Sequence, residues 1–283
     1  MTSRYSPEQV RRFYDEYGEA EWGRFDRNIA GRVGLEMHTR FLGHWVRPGD
    51  RVLEVGAGPG RFTIELARLG ARISVGDISP RQLELNRERV KAAGAESAVE
   101  VRELLDVVDL SRYAGSGFDV STAYGGPLSY VFDRAGTALD QLLAVVRPGG
   151  RVLFSVMSRW GSIHQFLAGL VYDIERGLGD EVDKLSQTGD QLGELARSAA
   201  TDLPHEMHLF TWAEIQTLLR DRPCHLLDAA SANFLSVRAD SLLEGISQEA
   251  WMRFLDLEER ACRATGSLDS GTHIIVAIEK RTP

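Results

Sequence analysis

Arg51-Val-Leu-Glu-Val-Gly-Ala-Gly-Pro-Gly60 is the stretch that decides the fold. An apolar strand pattern runs into glycines at every second position, Gly56, Gly58 and Gly60, and a helical pattern starts at once at Arg61. Glycine tolerates positive φ and has no Cβ, so a ligand can lie against the backbone, and the first turn of a helix points unpaired N–H groups at it. The spacing is Glu-x-Gly-x-Gly-x-Gly, not the Gly-x-Gly-x-x-Gly that holds a dinucleotide pyrophosphate. A more open loop with an acid behind it, here Glu54 and flanked by Ala57, suits a nucleotide-like ligand without phosphate.

Working outward, Arg72-Ile-Ser-Val-Gly-Asp77 reads as a second strand. Asp77 ends it about 20 residues beyond the first glycine, where a carboxylate can accept ribose hydroxyls. Ser79 caps the next helix and Pro80 takes its first position. Strand and helix signals alternate from Arg51 to Met157, a pattern that forces parallel pairing and crossover helices. The spacing predicts helices over Arg61–Leu69 and Pro80–Ala93, closed by Gly70 and Gly94, and strands over Val99–Arg102, Phe118–Thr122 and Val152–Val156. Thr211-Trp-Ala-Glu214 is a capping box opening a helix to Arg220, and His225–Ser231 and His273–Glu279 read as the last two of seven strands.

With these elements in order, the chain resembles the class I S-adenosylmethionine (SAM)-dependent methyltransferases of small-molecule type. Glu54-Val-Gly-Ala-Gly-Pro-Gly60 is similar to their first motif and Asp77-Ile-Ser-Pro80 to their ribose-binding second. Asp106-Val-Val-Asp-Leu110 is similar to the segment after the third strand, Phe118-Asp-Val120 to the fourth strand, and Arg147-Pro-Gly-Gly-Arg-Val-Leu153 to the turn into the fifth. The resemblance covers roughly residues 48 to 157. It implies an α/β fold, a seven-stranded, mostly parallel, doubly wound Rossmann-like sheet whose last strand is antiparallel. It also implies SAM as cofactor, with Glu54, Gly56, Ala57, Gly58 and Gly60 in the ligand loop, Asp77 and Ile78 at the ribose, Asp106 and Val107 at the adenine, and Tyr124 after the fourth strand.

Composition fits an elaborated single domain over 1–283: a helical lid at 1–47, the SAM-binding core at 48–158, a helical cap at 159–204, and the rest of the core at 205–283 with a helical insertion at 240–264. A net charge of −8 without a Lys/Arg run disfavours nucleic acid as partner. Cys224 and Cys262 lack metal-ligand spacing, so no metal site and two idle thiols in a reducing cytoplasm are expected. No apolar stretch approaches the ~20 residues of a membrane span, and Met1-Thr-Ser-Arg4 is not followed by a secretory apolar region. Nothing in the pattern sets an oligomeric state.

The segments outside the core are the ones that select the acceptor. Residues 1–47 carry a helix start at Ser6-Pro7, the aromatic run Phe13, Tyr14, Tyr17, Trp22, Phe25, and an amphipathic helix over Val33–Val46; the cap carries helical patterns at Ile163–Glu175 and Gln191–Ala199. Tyr14, Tyr17 and Trp22 either pack between helices or line the pocket, and Tyr130 joins them from the loop after the fourth strand. His205 and His208 stand where the cap rejoins the core, and each reads either as the base that takes the acceptor's proton or as part of an extended lead-in to the Thr211 helix. His38, His44, His164, His225 and His273 read as structural. The loop Tyr124-Gly-Gly-Pro-Leu-Ser-Tyr130 lacks the Asn/Asp-Pro-Pro-aromatic run of base-amine methylating enzymes, and Pro223-Cys224 lies too far downstream to serve as a cytosine-type nucleophile pair. The expected function is methyl transfer from SAM to O or N of a small organic molecule, secondary metabolites included. The alternatives are a SAM-binding protein without methyl transfer and an NAD-dependent oxidoreductase, whose glycine spacing is absent.

Overall fold

The computed structural model describes residues 3–198 and 200–282. Ser6 accepts the Gln9 N–H and opens α1 (Pro7–Tyr17), a 3₁₀ segment (Gly18–Asp26) follows, and Asn28 caps α2 (Ile29–Trp45). Then come β1 (Arg51–Val55), α3 (Arg61–Arg68), β2 (Arg72–Asp77), α4 (Pro80–Ala92), β3 (Val99–Leu104), β4 (Phe118–Ala123), α5 (Ala135–Val145) and β5 (Val146–Met157). The segment after β5 holds α6 (Arg159–Gln165), α7 (Leu167–Glu175), α8 (Gly179–Thr188) and a short ribbon of β6 (Asp190–Gln191) with β7 (Met207–His208). The chain returns through α9 (Trp212–Arg220), β8 (Cys224–Ser231), α10 (Asp240–Leu243), α11 (Gln248–Cys262) and β9 (His273–Lys280).

Seven strands form one sheet in the order β3-β2-β1-β4-β5-β9-β8. β1 to β5 are parallel, and β9 runs antiparallel to both neighbours. The order reverses between β1 and β4, so a crevice opens at the carboxyl ends of those strands, where such sheets bind ligands. The apolar run of β9 explains its central place. Ile274, Val276 and Ile278 pack into the layer under α5 and α9, while Ile275 and Ala277 pack into the layer under α2, α3 and α11. A strand buried on both faces needs apolar residues at both parities.

The seven-stranded reading holds, and three local expectations change. Ile163–Glu175 is two helices, broken at Phe166 (φ −101°, ψ 17°). Gln191–Ala199 is not a helix: Asp190 and Gln191 pair with His208 and Met207, Gly193 turns left-handed at φ +54°, and a single 3₁₀ turn spans Gly193–Ala196. Ala199 lies outside the described residues. The second N-terminal helix starts a turn earlier than Val33, because the Asn28 side chain accepts the Gly31 N–H.

Candidate active site

The three loop glycines serve three different ends. Gly56, Gly58 and Gly60 have φ of +71°, +53° and +97°. A Cβ on Gly56 would fall 2.5 Å from Pro127 Cγ, and one on Gly60 would fall 3.0 Å from Val90 and 3.1 Å from Asn86. A Cβ on Gly58 would meet only Glu21 Cγ at 3.8 Å, so Gly58 faces open space between loop and lid. The Gly56 and Ala57 N–H groups donate to Gly76 O at 2.9 and 3.2 Å, tying the loop to the end of β2.

Asp77 is 6% exposed and accepts the Gly58 and Ser79 N–H groups, each at 2.8 Å. Burial pushes its carboxyl up to about 6 against those two donors. Glu54 sits behind the loop, accepts the Thr63 hydroxyl at 2.6 Å, and is pushed up to about 8 by burial, with Thr63 opposing and Asp77 adding. Gly60 and Glu54 therefore support the loop from behind. Gly56, Ala57, Gly58, Asp77, Ile78, Asp106, Val107 and Tyr124 face a cleft of about 780 Å³, mouth included. Tyr124 lies with its ring edge-on to His38 and Phe62 at 5.2 and 5.3 Å.

The N-terminal segment closes over this cleft. Ser79 Oγ donates to Asp15 at 2.6 Å, and Gln82 Nε2 donates to the Tyr14 and Gly18 carbonyls at 2.9 and 3.1 Å. Tyr5 donates its hydroxyl to Asp106 at 2.8 Å, and burial, then Asp106, raises the Tyr5 pKa. Glu21 and Arg24 form an ion pair at 2.8 Å inside the cleft. Burial raises the Glu21 pKa and Arg24 opposes it. Sequence reasoning missed Tyr5, Glu21 and Arg24. The only signal of Glu21 and Arg24 is an acid–base pair three residues apart within the aromatic run, a spacing common on any helical surface, and Tyr5 carries no local signal of its bond to Asp106.

Tyr14 and Tyr130 line the cleft with rings edge-on at 5.6 Å. Tyr17 and Trp22 do not. Tyr17 stacks on Phe13 at 5.3 Å and accepts from Arg27 at 2.7 Å. Trp22 lies between the guanidinium groups of Arg61 and Arg89, 4.0 and 4.9 Å away, on the outer side of the lid. The two candidate histidines part company. His205 Nε2 is 3.3 Å from the Tyr14 hydroxyl, and burial, then Arg24, holds its pKa down to about 3. His208 pairs with Asp190 at 2.7 Å and Glu214 at 3.5 Å, fastening the ribbon to the cap of α9, away from the cleft. Burial alone would lower the His208 pKa, and hydrogen bonds to Glu214 and Asp190 outweigh it. Among the described residues no group of three or more His, Cys, Asp or Glu is placed to hold a metal ion.

The strand order, with one antiparallel strand inserted between β5 and β8, is the Rossmann-like methyltransferase fold. Residues 52–150 match the family model described as a methyltransferase domain. Over that stretch the chain is similar to SAM-dependent methyltransferases. It is 34% identical over 156 residues to a demethylmenaquinone methyltransferase of Clavibacter sepedonicus, covering 54% of this chain and 59% of that protein. It is 32% identical over 176 residues to a ubiquinone biosynthesis O-methyltransferase of Methylocella silvestris, covering 56% and 66%. The chain thus spans less than two thirds of the length of these relatives. Among solved structures, a magnesium protoporphyrin IX methyltransferase from Synechocystis with bound S-adenosylhomocysteine shares the fold at a TM-score of 0.62 and 16% identity, covering 98% of this chain and 99% of that one.

Proposed function

We propose that this protein transfers a methyl group from SAM to an oxygen or nitrogen of a small organic acceptor. The observation that carries this is the cleft: a glycine loop with space beside Gly58, acids at the ends of β2 and β3, and a lid that sets Glu21 and Arg24 over the loop. In this reading Asp77 receives the ribose hydroxyls, Asp106 the adenine amino group, and Ile78 and Val107 flank the base. Glu21 and Arg24 match in sign the ammonium and carboxylate of the amino-acid end.

SAM held there would supply an activated methyl group to the acceptor's lone pair, with a neutral thioether as the leaving group. The chain's part is to align the acceptor, exclude water and take a proton from a hydroxyl or ammonium. Tyr14 stands in the cleft wall beside His205, which offers a path for that proton from Tyr14 to Nε2. His205 is neutral at pH 7, its basicity depressed first by burial and then by Arg24, and pairing of Arg24 with a ligand carboxylate would relieve only the second, smaller part. The quinone-pathway relatives support a small-molecule acceptor. Two buried free thiols, and no helix among the described residues long and apolar enough to cross a membrane, support a cytoplasmic setting.

Calorimetric titration with SAM and S-adenosylhomocysteine, with NADH as control, followed by labelled methyl transfer to a panel of phenols, hydroxyquinones and amines, tests the proposal. Micromolar SAM binding and label in an acceptor are expected. Absence of SAM binding by folded protein would sink the proposal, and binding without transfer to any acceptor would favour a SAM-binding protein with another role.

A further inference from the structure

A second cleft of about 640 Å³, mouth included, lies between α1, the loop after β4 and the strand-like return of the cap. Val10, Tyr14 and Tyr130 line both clefts, so the two share a wall. Behind that wall His205 stacks between two rings, 4.1 Å from Phe13 at an interplanar angle of 7° and 5.1 Å from Tyr130 at 19°. Phe132, Leu203 and Pro204 add to the apolar lining, and Arg4, Ser6, Gln9 and Glu206 supply polar groups, Arg4 being paired with Asp190 and Glu206 accepting the Gly193 N–H. Phe132 is held at φ +46°, one of two non-glycine residues with positive φ among those described, and a bulky residue adopts that conformation only where its surroundings enforce it. At the rim stands Arg12, an exposed guanidinium with no carboxylate partner among the described residues.

We infer that this second cleft seats the acceptor, and that the acceptor is a planar aromatic or conjugated ring carrying the hydroxyl to be methylated. The inference rests on the methyl-transfer reading above and narrows its substrate class. Aromatic walls reward a flat π surface over a puckered ring of equal size, because edge-to-face and offset contacts add to area burial. A hydroxyl on the inner edge of such a ring meets the Tyr14–His205 pair at the shared wall. Arg12 at the mouth favours an electron-rich or anionic substituent pointing outward.

The test uses full-length protein saturated with S-adenosylhomocysteine and titrated calorimetrically with 2-naphthol and with decahydro-2-naphthol, its saturated counterpart. Naphthol is expected to bind at least about tenfold tighter, the ratio that about 1.4 kcal/mol of aromatic contact gives. Leu203→Trp fills the second cleft and is expected to weaken naphthol at least about tenfold while S-adenosylhomocysteine affinity stays within about twofold. Gln9→Trp, on the exposed face of α1, makes the same block where Leu203→Trp does not fold. Equal affinity for the two probes, or no naphthol binding, would overturn the substrate class. Unchanged naphthol affinity in a folded blocking variant would overturn the location. Failure of wild-type protein to bind S-adenosylhomocysteine would instead strike the methyl-transfer reading.

Discussion

Replacing loop glycines one at a time separates ligand contact from packing. Gly58→Ala adds a methyl group where the nearest atom is 3.8 Å away, so its folding cost is only the left-handed backbone at φ +53°. That cost is about 1–2 kcal/mol, less about 0.4–1 kcal/mol returned through the stiffer unfolded chain. Gly56→Ala has the same backbone cost at φ +71° and drives its Cβ to 2.5 Å from Pro127, which adds roughly 1–3 kcal/mol of overpacking. Thermal unfolding followed by circular dichroism should place Gly58→Ala within a few degrees of wild type and Gly56→Ala clearly below it. SAM titration should show the reverse emphasis: Gly58→Ala, although the milder folding variant, should lose at least about tenfold in affinity because the methyl group enters the ligand's space. A folded Gly58→Ala protein with wild-type SAM affinity would refute the placement of the ligand against this loop. A Gly56→Ala protein melting with wild type would refute the Pro127 contact.

Asp77→Ala removes the acceptor for two backbone N–H groups and for the proposed ribose bonds; SAM affinity should drop at least about tenfold, and an unchanged Kd in folded protein would take Asp77 out of the site. His205 has its folded pKa lowered to about 3 from 6.5, so the stability from its neutral burial is present above pH 6.5 and lost as pH falls toward 3. Glu54 and Asp77, raised to about 8 and 6, act in the opposite sense, so the histidine is isolated by difference: between pH 7 and 5, wild type should lose about 2 kcal/mol more than His205→Gln by chemical denaturation. Equal pH slopes would mean that His205 is not buried in neutral form. His208→Gln should keep turnover on a verified acceptor while losing more stability at pH 6 than at pH 8, because a raised histidine pKa contributes most below its unfolded value; a collapse of turnover in folded protein would return His208 to the reaction.

The core was legible because its signals are local. Gly56 to Gly60, Asp77, the Ser79-Pro80 start and the Thr211–Glu214 capping box each encode their own geometry within a few residues, and all stand where the sequence placed them. The lid and cap were less legible because what fixes them is distant in sequence. Tyr5 matters through Asp106, about a hundred positions away, and Trp22 turns outward because Arg61 and Arg89 flank it from α3 and α4. Periodicity cannot show which of two aromatic residues meets a cleft and which meets a guanidinium. Gln191–Ala199 failed for the same reason: its partner strand, Met207–His208, arrives only after the following loop.

The position of β9 sets an order of events during synthesis. It is translated after β8 yet lies between β5 and β8 in the sheet. Until residues 273–280 leave the ribosome, the β5 edge with Val152, Leu153, Phe154 and Val156 has no strand beside it, and β8 has nothing to dock on. The ligand-binding half from β1 to β5 can fold in the meantime, but it carries an open apolar edge of the kind that recruits other chains. Nascent protein stalled before β9 is thus the species most in need of a chaperone, and slow codons in that stretch should lower soluble yield without touching any residue of the cleft.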